Sequence, residues 1–388
     1  MRSANSESGE SEGAFGRGTG RGLEAMNKCT PKVTVVIPVR NDEVYLRECL
    51  DSVVGQTLAD IEIVCIDDAS TDGSRDILEE YARRDSRVRL NRYETNRSAS
   101  QARKDGALAA AGEYVMFLDA DDYLELNACD TVYREMRNHG VDILHFGTSV
   151  VNAGNVPQAR LENLEKFIRP YPRRLEGKAV FEGCFRQKLY GYSIWNKLYS
   201  AALCRQAFLR IPDGAYPKAQ DLFAFFVLAY FARSYVGLPD AHCHHYRFGA
   251  GLTGHNQMSL DKFAVHCTQA RVSQRIKRFL EEEGGFDQYR EDYQRIHDDL
   301  VFECAWNWLR NLAPADQGRG FDLLRDAWGS KDVAACLVWR KEYDRLNRAY
   351  QAARAEVDAL HNSRSYRIGR ALSFVPDVIM NWRKRGAR

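Results

Sequence analysis

Between Lys32 and Phe146 short, continuously apolar runs alternate with segments of helical periodicity, and most of the runs end on a polar cluster. A run with no polar alternation cannot leave one face in water. Such runs imply strands covered by helices on both sides, that is, an α/β fold with a mainly parallel sheet. VTVVI (33–37) is the first, with Pro38 expected to stop it, and an amphipathic segment over 43–58 follows with Leu46, Cys49, Leu50 and Val53 at helical spacing. IEIVCI (61–66) is the second. The DDASTDGS behind it offers Asp68, Ser70 or Thr71 as the cap of a helix carrying Ile77, Leu78 and Tyr81. A strand near 88–90, a helix over 98–111, a strand over 114–118, a helix over 127–138 and a strand over 142–146 complete the series.

The 388 residues, 45% of them apolar, suffice for two domains or one large one with additions. Lys plus Arg is 55 against 53 Asp plus Glu, so bulk charge gives no reason to expect a nucleic-acid partner. Ten cysteines are scattered with no Cys-x-x-Cys pair, the usage expected of reduced core thiols in a cytoplasmic protein. No apolar run is long enough to span a bilayer, and the N-terminus lacks the apolar core of a signal peptide. Residues 1–30 are Gly-, Ser-, Glu- and Arg-rich and read as disordered, with Met26 as a candidate alternative start. Their GRGTGRG has neither a strand before it nor a helical pattern after it, and so is no dinucleotide fingerprint.

In a parallel α/β sheet, ligands bind beyond the carboxyl ends of the strands. The polar residues of this chain gather there: Arg40, Asn41 and Asp42 after the first strand, Asp67 and Asp68 after the second, and Asp119, Asp121 and Asp122 at the end of EYVMFLDADDYLE. Carboxylates this close repel and raise one another's pKa, which calls for a counter-ion. In a strand or its extension Asp119 and Asp121 face the same way, making a hard oxygen site suited to Mg²⁺ or Mn²⁺ with a diphosphate.

VVIPVRND, IDDASTDGS, NRSASQARKDG and GEYVMFLDADDYL, in this order, resemble the nucleotide-sugar-binding half of family 2 glycosyltransferases of the GT-A fold, over about 32–253. The resemblance implies a UDP-sugar donor, with the backbone at Pro38 and Val39 and the carboxylate of Asp68 holding uracil and ribose. Asn96 and Arg103 would lie beside the nucleotide, and Asp119 and Asp121 would match the family's metal-binding Asp-x-Asp. The family often has Gly shortly after the Asn of its NxG-like motif, where this chain has Arg97 and Ser98. YSIWNKLYSAAL resembles the family's acceptor-side segment, implicating Trp195, Asn196 and Lys197. In PKAQDLFAFFVLAYF, Gln220 replaces the usual Glu, and Asp221 matches the catalytic base; a helix N-cap is its simpler role. AHCHHYRFGAGLTGH resembles the closing motif, so that Arg247 and Thr253 would meet the diphosphate. Its histidines His242, His244 and His245 lack further ligands at zinc-site spacing, which leaves open that one of them adds a ligand to the catalytic metal. The implied reaction is a single in-line displacement with inversion at the anomeric carbon.

After His255 the pattern is helical, with Trp306, Trp308 and Leu309 expected in a small core. Apolar or small positions at alternating steps over 339–360 suggest a coiled coil that could pair two copies. Residues 364–388 carry seven Arg or Lys against Asp377, interleaved with aromatic and aliphatic residues; this suits an anchor on an anionic membrane surface, and the wording resembles tails of bacterial cell-surface polysaccharide glycosyltransferases. The expected organisation is therefore a disordered 1–30, a glycosyltransferase domain over 31–255, a helical region over 256–335, a heptad-patterned helix over 336–363 and a basic tail over 364–388. The enzyme would work on the cytoplasmic face of the membrane, on a glycan or lipid-linked acceptor. Two other classes compete: a catalytically silent nucleotide-sugar-binding scaffold, disfavoured by the retained Asp119, Asp121, Asp221 and Arg247, and a nucleotidyltransferase, which would want a glycine-rich phosphate loop where PVRND has none.

Overall fold

The computed structural model describes residues 30–154, 156–249 and 258–338, together with Ala355. Thr253, the heptad positions, the basic tail and most of the N-terminal segment lie outside the described residues. The strands are β1 (Val33–Val39), β2 (Ile61–Asp67), β3 (Val88–Arg92), β4 (Tyr114–Phe117), β5 (Tyr123–Leu124), β6 (Ile143–Asn152), β7 (Leu175–Glu176), β8 (Lys197–Ser200) and β9 (Ser234–Phe248). The helices are α1 (Leu46–Val54), α2 (Ser74–Arg84), α3 (Ala99–Ala109), α4 (Ala128–His139), α5 (Gln158–Ile168), α6 (Lys178–Phe185), α7 (Ala201–Phe208), α8 (Gln220–Phe231), α9 (Leu260–Cys267), α10 (Gln269–Glu282), α11 (Phe286–Arg310) and α12 (Gln317–Trp328).

One sheet runs β3-β2-β1-β4-β8-β6-β9-β5, with β7 also paired to β9. The long ladders, β1 on β2 and β6 on β9, are parallel, and the antiparallel pairings that attach β5, β7 and β8 are two or three residues long. All seven residues of β1 and of β2 are buried, as expected of strands covered on both faces. The mainly parallel α/β sheet expected from the sequence is what the chain forms.

Pro38 does not stop β1, contrary to expectation. The strand continues through Val39, with Pro38 opposite Ile66. Even-numbered residues of β1 face β4, where Leu118 N–H reaches the Val36 carbonyl, and the β4 pairing ends at Val36. The missing N–H of Pro38 therefore falls where no ladder bond was due. The cap of α2 also differs: Gly73 is the N-cap residue, and Asp72, rather than Asp68, Ser70 or Thr71, accepts the Ser74 N–H at 3.0 Å.

The core has two layers. Under one face lie α1, α2 and α4; on the other, α3, α6, α7 and α8 join a cluster that continues without a break through Phe263, Ile276, Val301, Leu324 and Trp328 of the C-terminal helices. Trp306 is not part of it, being 38% exposed; Leu300, Cys304 and Ala305 are the buried residues on that stretch of α11, and Trp308 packs against them only partly buried. Nine described cysteines are free thiols, eight of them buried. No described helix is long and apolar enough to cross a membrane.

Candidate active site

The strand β4 ends at Phe117, and the chain then turns tightly: Asp122 N–H closes on the Asp119 carbonyl at 3.0 Å. Asp119 and Asp121 therefore sit on a β-turn rather than on an extension of the strand. The expectation that they share a side through strand alternation is corrected to convergence around a turn. Asp121 has no cationic partner among the described residues. Burial and the carboxylates of Asp122, Asp119 and Asp42 push its pKa up to about 8. Asp42, following β1, is pushed up to about 6, mainly by burial, with Asp119 and Asp72 adding to it.

Asp119 has a partner. Arg103 on α3 is 5% exposed, and its guanidinium donates to the Asp119 carboxylate while standing 3.5 Å from that of Asp221. Helix α3 reaches the sheet because residue 106 is glycine: a Cβ there would lie 2.3 Å from Val36 Cγ1. Arg103 is thus a buried wedge between the carboxylates of Asp119 and Asp221. Its Nε and Nη1 have no hydrogen-bond partner.

Asp221 lies in the first turn of α8, a helix apolar all round and buried from Leu222 to Ala229. Ala219, in the left-handed region at φ 57°, holds the N-cap position, so Asp221 is not the cap. Its side chain is 24% exposed and its Oδ1 makes no hydrogen bond. Burial raises its pKa above the usual carboxylate range, offset in part by Arg103, Lys197 and the Ile194 N–H. Arg103, Ile194, Tyr216, Gln220, Asp221 and Phe223 are among the residues lining a crevice of about 10 Å³, room for one water-sized oxygen.

Just after β2, Asp68 is 2% exposed. Its two oxygens accept the backbone N–H groups of Arg97 (2.5 Å) and Ser98 (2.9 Å), and its own N–H meets the Val39 carbonyl at 2.8 Å, beside Pro38. Asn96 accepts the same Ser98 N–H through Oδ1 at 2.9 Å. Ser98 adopts φ 83° and ψ 154°, a glycine conformation, at the place where the sequence lacks the expected glycine.

Arg247, near the end of β9, donates from Nη1 to the Asp121 carbonyl at 2.6 Å and pairs with Glu48 at 2.5 Å. Its guanidinium stacks between Tyr45 (4.9 Å) and Tyr123 (4.6 Å). Its backbone N–H goes to Asp122, which is fully buried against His244 at 3.3 Å. His242 and His245 turn elsewhere, to Ser149 and Glu125. Sequence reasoning missed Tyr45 and Glu48 at the start of α1 and Tyr123 on β5, and it named Asp122 and His244 without pairing them.

Asn196 and Lys197 are wholly buried. Asn196 Nδ2 donates to His145 and the Ile168 carbonyl, and Lys197 Nζ to the carbonyls of Gly191 and Ser193 and to Asn196 Oδ1, over the Phe225 ring. They brace the Gly191–Ile194 turn behind Asp221 and do not themselves reach the crevice. Trp195 stacks on Tyr246 at 4.5 Å and on His244 at 5.0 Å.

The putative glycosyltransferase EpsH of Bacillus subtilis is 31% identical over 302 residues, which cover 76% of this chain and 82% of that protein. The chain belongs to glycosyltransferase family 2. The family's sequence profile, described as "Glycosyl transferase family 2", matches residues 34–198 of this glycosyltransferase, from β1 into β8. A poly(ribitol-phosphate) beta-glucosyltransferase of Bacillus spizizenii is 35% identical over 153 residues, 39% of this chain and 24% of that protein. Among solved structures, S. aureus TarS 1-349 in complex with UDP-GlcNAc aligns at TM-score 0.48 and 19% identity, over 80% of this chain and 92% of that one.

Proposed function

We propose that this glycosyltransferase moves a sugar from a UDP-sugar to a hydroxyl of a glycan or lipid-linked acceptor, with inversion and with Mn²⁺ or Mg²⁺. The observation that carries the reading is that Asp119 and Asp221 meet on one buried guanidinium, that of Arg103, so that the donor-side and acceptor-side carboxylates lie within one side chain of each other. Asp121 suits a divalent ion on its donor chemistry: a crowded oxygen ligand pushed toward protonation for want of a cation, while its neighbours Asp119 and Asp122 have partners. Asp121 and the free oxygen of Asp119 would hold the ion, which when bound supplies Lewis-acid stabilisation of a leaving diphosphate.

The chain's own residues do the rest. The Asp68 loop and the Pro38–Val39 edge bind the nucleoside, with Asn96 fixing the loop, and Arg247, gripped between two tyrosines, presents its charge to the diphosphate, joined by Thr253. Asp221, desolvated at the crevice, accepts the acceptor's hydroxyl proton as that oxygen bonds to the anomeric carbon and the bond from that carbon to the diphosphate oxygen breaks. Trp195, Asn196 and Lys197 shape the acceptor side from behind. The poly(ribitol-phosphate) in the name of the Bacillus spizizenii relative supports a polymer acceptor here. The test is UDP release from a panel of UDP-sugars with Mn²⁺, with wild type and D221N. The expected loss in D221N is about 10²–10⁴-fold in turnover with UDP affinity kept. Full turnover by D221N, or no UDP release from any donor, would refute the proposal.

A further inference from the structure

Next to the segment that carries Asp221 is a second concavity that the chemistry above leaves unused. The connection from α7 to α8 passes through Gly214, Ala215 and Tyr216, and opposite it α10 presents Arg271, Gln274, Arg275 and Arg278. These are positions i, i+3, i+4 and i+7 and so form one helix face, while Val272, Ile276, Phe279 and Leu280 are buried in the core. The groove between loop and helix measures about 330 Å³. No carboxylate lines it; of those close by in the sequence, Asp213 is paired with Lys104, Glu283 with Arg210 and Glu281 with Lys277, while the exposed Glu282 forms no ion pair among the described residues. None of the three arginines forms an ion pair among the described residues.

Along the helix axis the three cations are spaced over about 10 Å, with the middle one about 6 Å from the first. A row at that spacing matches anionic groups carried in series better than a single anion, and guanidinium forks fit phosphate oxygens in pairs. Tyr216, itself buried, lines both this groove and the crevice of Asp221, so a chain lying on the arginines comes within one side chain of that crevice. We infer that the groove binds the acceptor, and that the acceptor is a glycan or polyol chain bearing phosphate groups in series. The inference rests on Asp221 marking the acceptor side.

The test measures binding of a fluorescent glycerol phosphate oligomer to the full chain by anisotropy at low salt, for wild type and R271A/R275A/R278A. The oligomer is expected to bind wild type, more weakly as salt is raised, and about tenfold or more weakly to the triple variant. UDP affinity, read in parallel by calorimetry, stays the same in both. Equal oligomer binding by the two proteins, or none by wild type, overturns the groove. A uronic-acid oligomer of the same charge bound as tightly overturns the phosphate assignment. Phosphatidylglycerol vesicles bound through the arginines more tightly than the oligomer hand the surface to a membrane instead. Loss of UDP binding by wild type would sink the donor reading and leave the groove result standing.

Discussion

Replacing Asp121 by Asn removes one negative charge from a half-buried crowd of four carboxylates without changing shape. The carboxyl has an ordinary value of 3.8 and is held at about 8 in the folded chain by burial, Asp122, Asp119 and Asp42. The folded state thus binds more protons than the unfolded one between those values, and stability is lost as pH rises through that window. At about 1.4 kcal/mol per pH unit the gap bounds the penalty at ~6 kcal/mol, and partial access to water brings the working figure to ~2 kcal/mol. Without metal, D121N is therefore expected to melt several degrees above wild type at pH 8 and level with it near pH 4. Adding Mn²⁺ should reverse the order at pH 8, because wild type gains a ligand for its charge and D121N does not. Differential scanning fluorimetry with EDTA or Mn²⁺ reads both effects, and calorimetry with Mn²⁺ and UDP gives the binding heat directly. The reasoning fails if metal-free D121N melts below wild type at pH 8, or if Mn²⁺ stabilises the two alike.

Two further changes test the scaffold. S98G puts glycine where the backbone already has a glycine conformation, and is expected to raise stability by about 1 kcal/mol in urea denaturation; an unchanged or lower midpoint would mean that Ser98 is not strained. K197M leaves the carbonyls of Gly191 and Ser193 and the side chain of Asn196 without their donor, costing about 2–3 kcal/mol. Burial brings the Lys197 pKa down to about 7 from 10.5, so between these values the unfolded chain binds more protons and wild-type stability rises with pH. That rise should be missing from K197M in melts between pH 7 and 10, and a parallel pH profile in the two proteins would contradict it.

The parallel α/β sheet and the placing of most polar residues at one edge were legible from the chain alone, because continuous apolar runs and helical periodicity are local patterns. Element ends such as the β1 terminus were less so: whether Pro38 breaks a strand depends on whether a neighbour still needs its N–H, and that neighbour, β4, lies almost eighty residues away. The candidate site divides in the same way. Asp119, Asp121 and Asp221 could be named from motifs, but their convergence on Arg103 follows from α3 pressing against β1 at Gly106. Asn196 and Lys197 carry the lettering of a site segment, and their buried partners put them behind it.

By itself, the order of residues determined the alternation of strands and helices up to β6, the two-sided burial of the central strands and the supply of carboxylates, all of which depend on near neighbours along the chain. Only the tertiary structure decided which carboxylate has a cation, which arginine is a wedge and which is sandwiched, and that α10 turns three arginines toward the approach to Asp221. Charge and burial act through space, and the residues that set them come from segments far apart in the sequence.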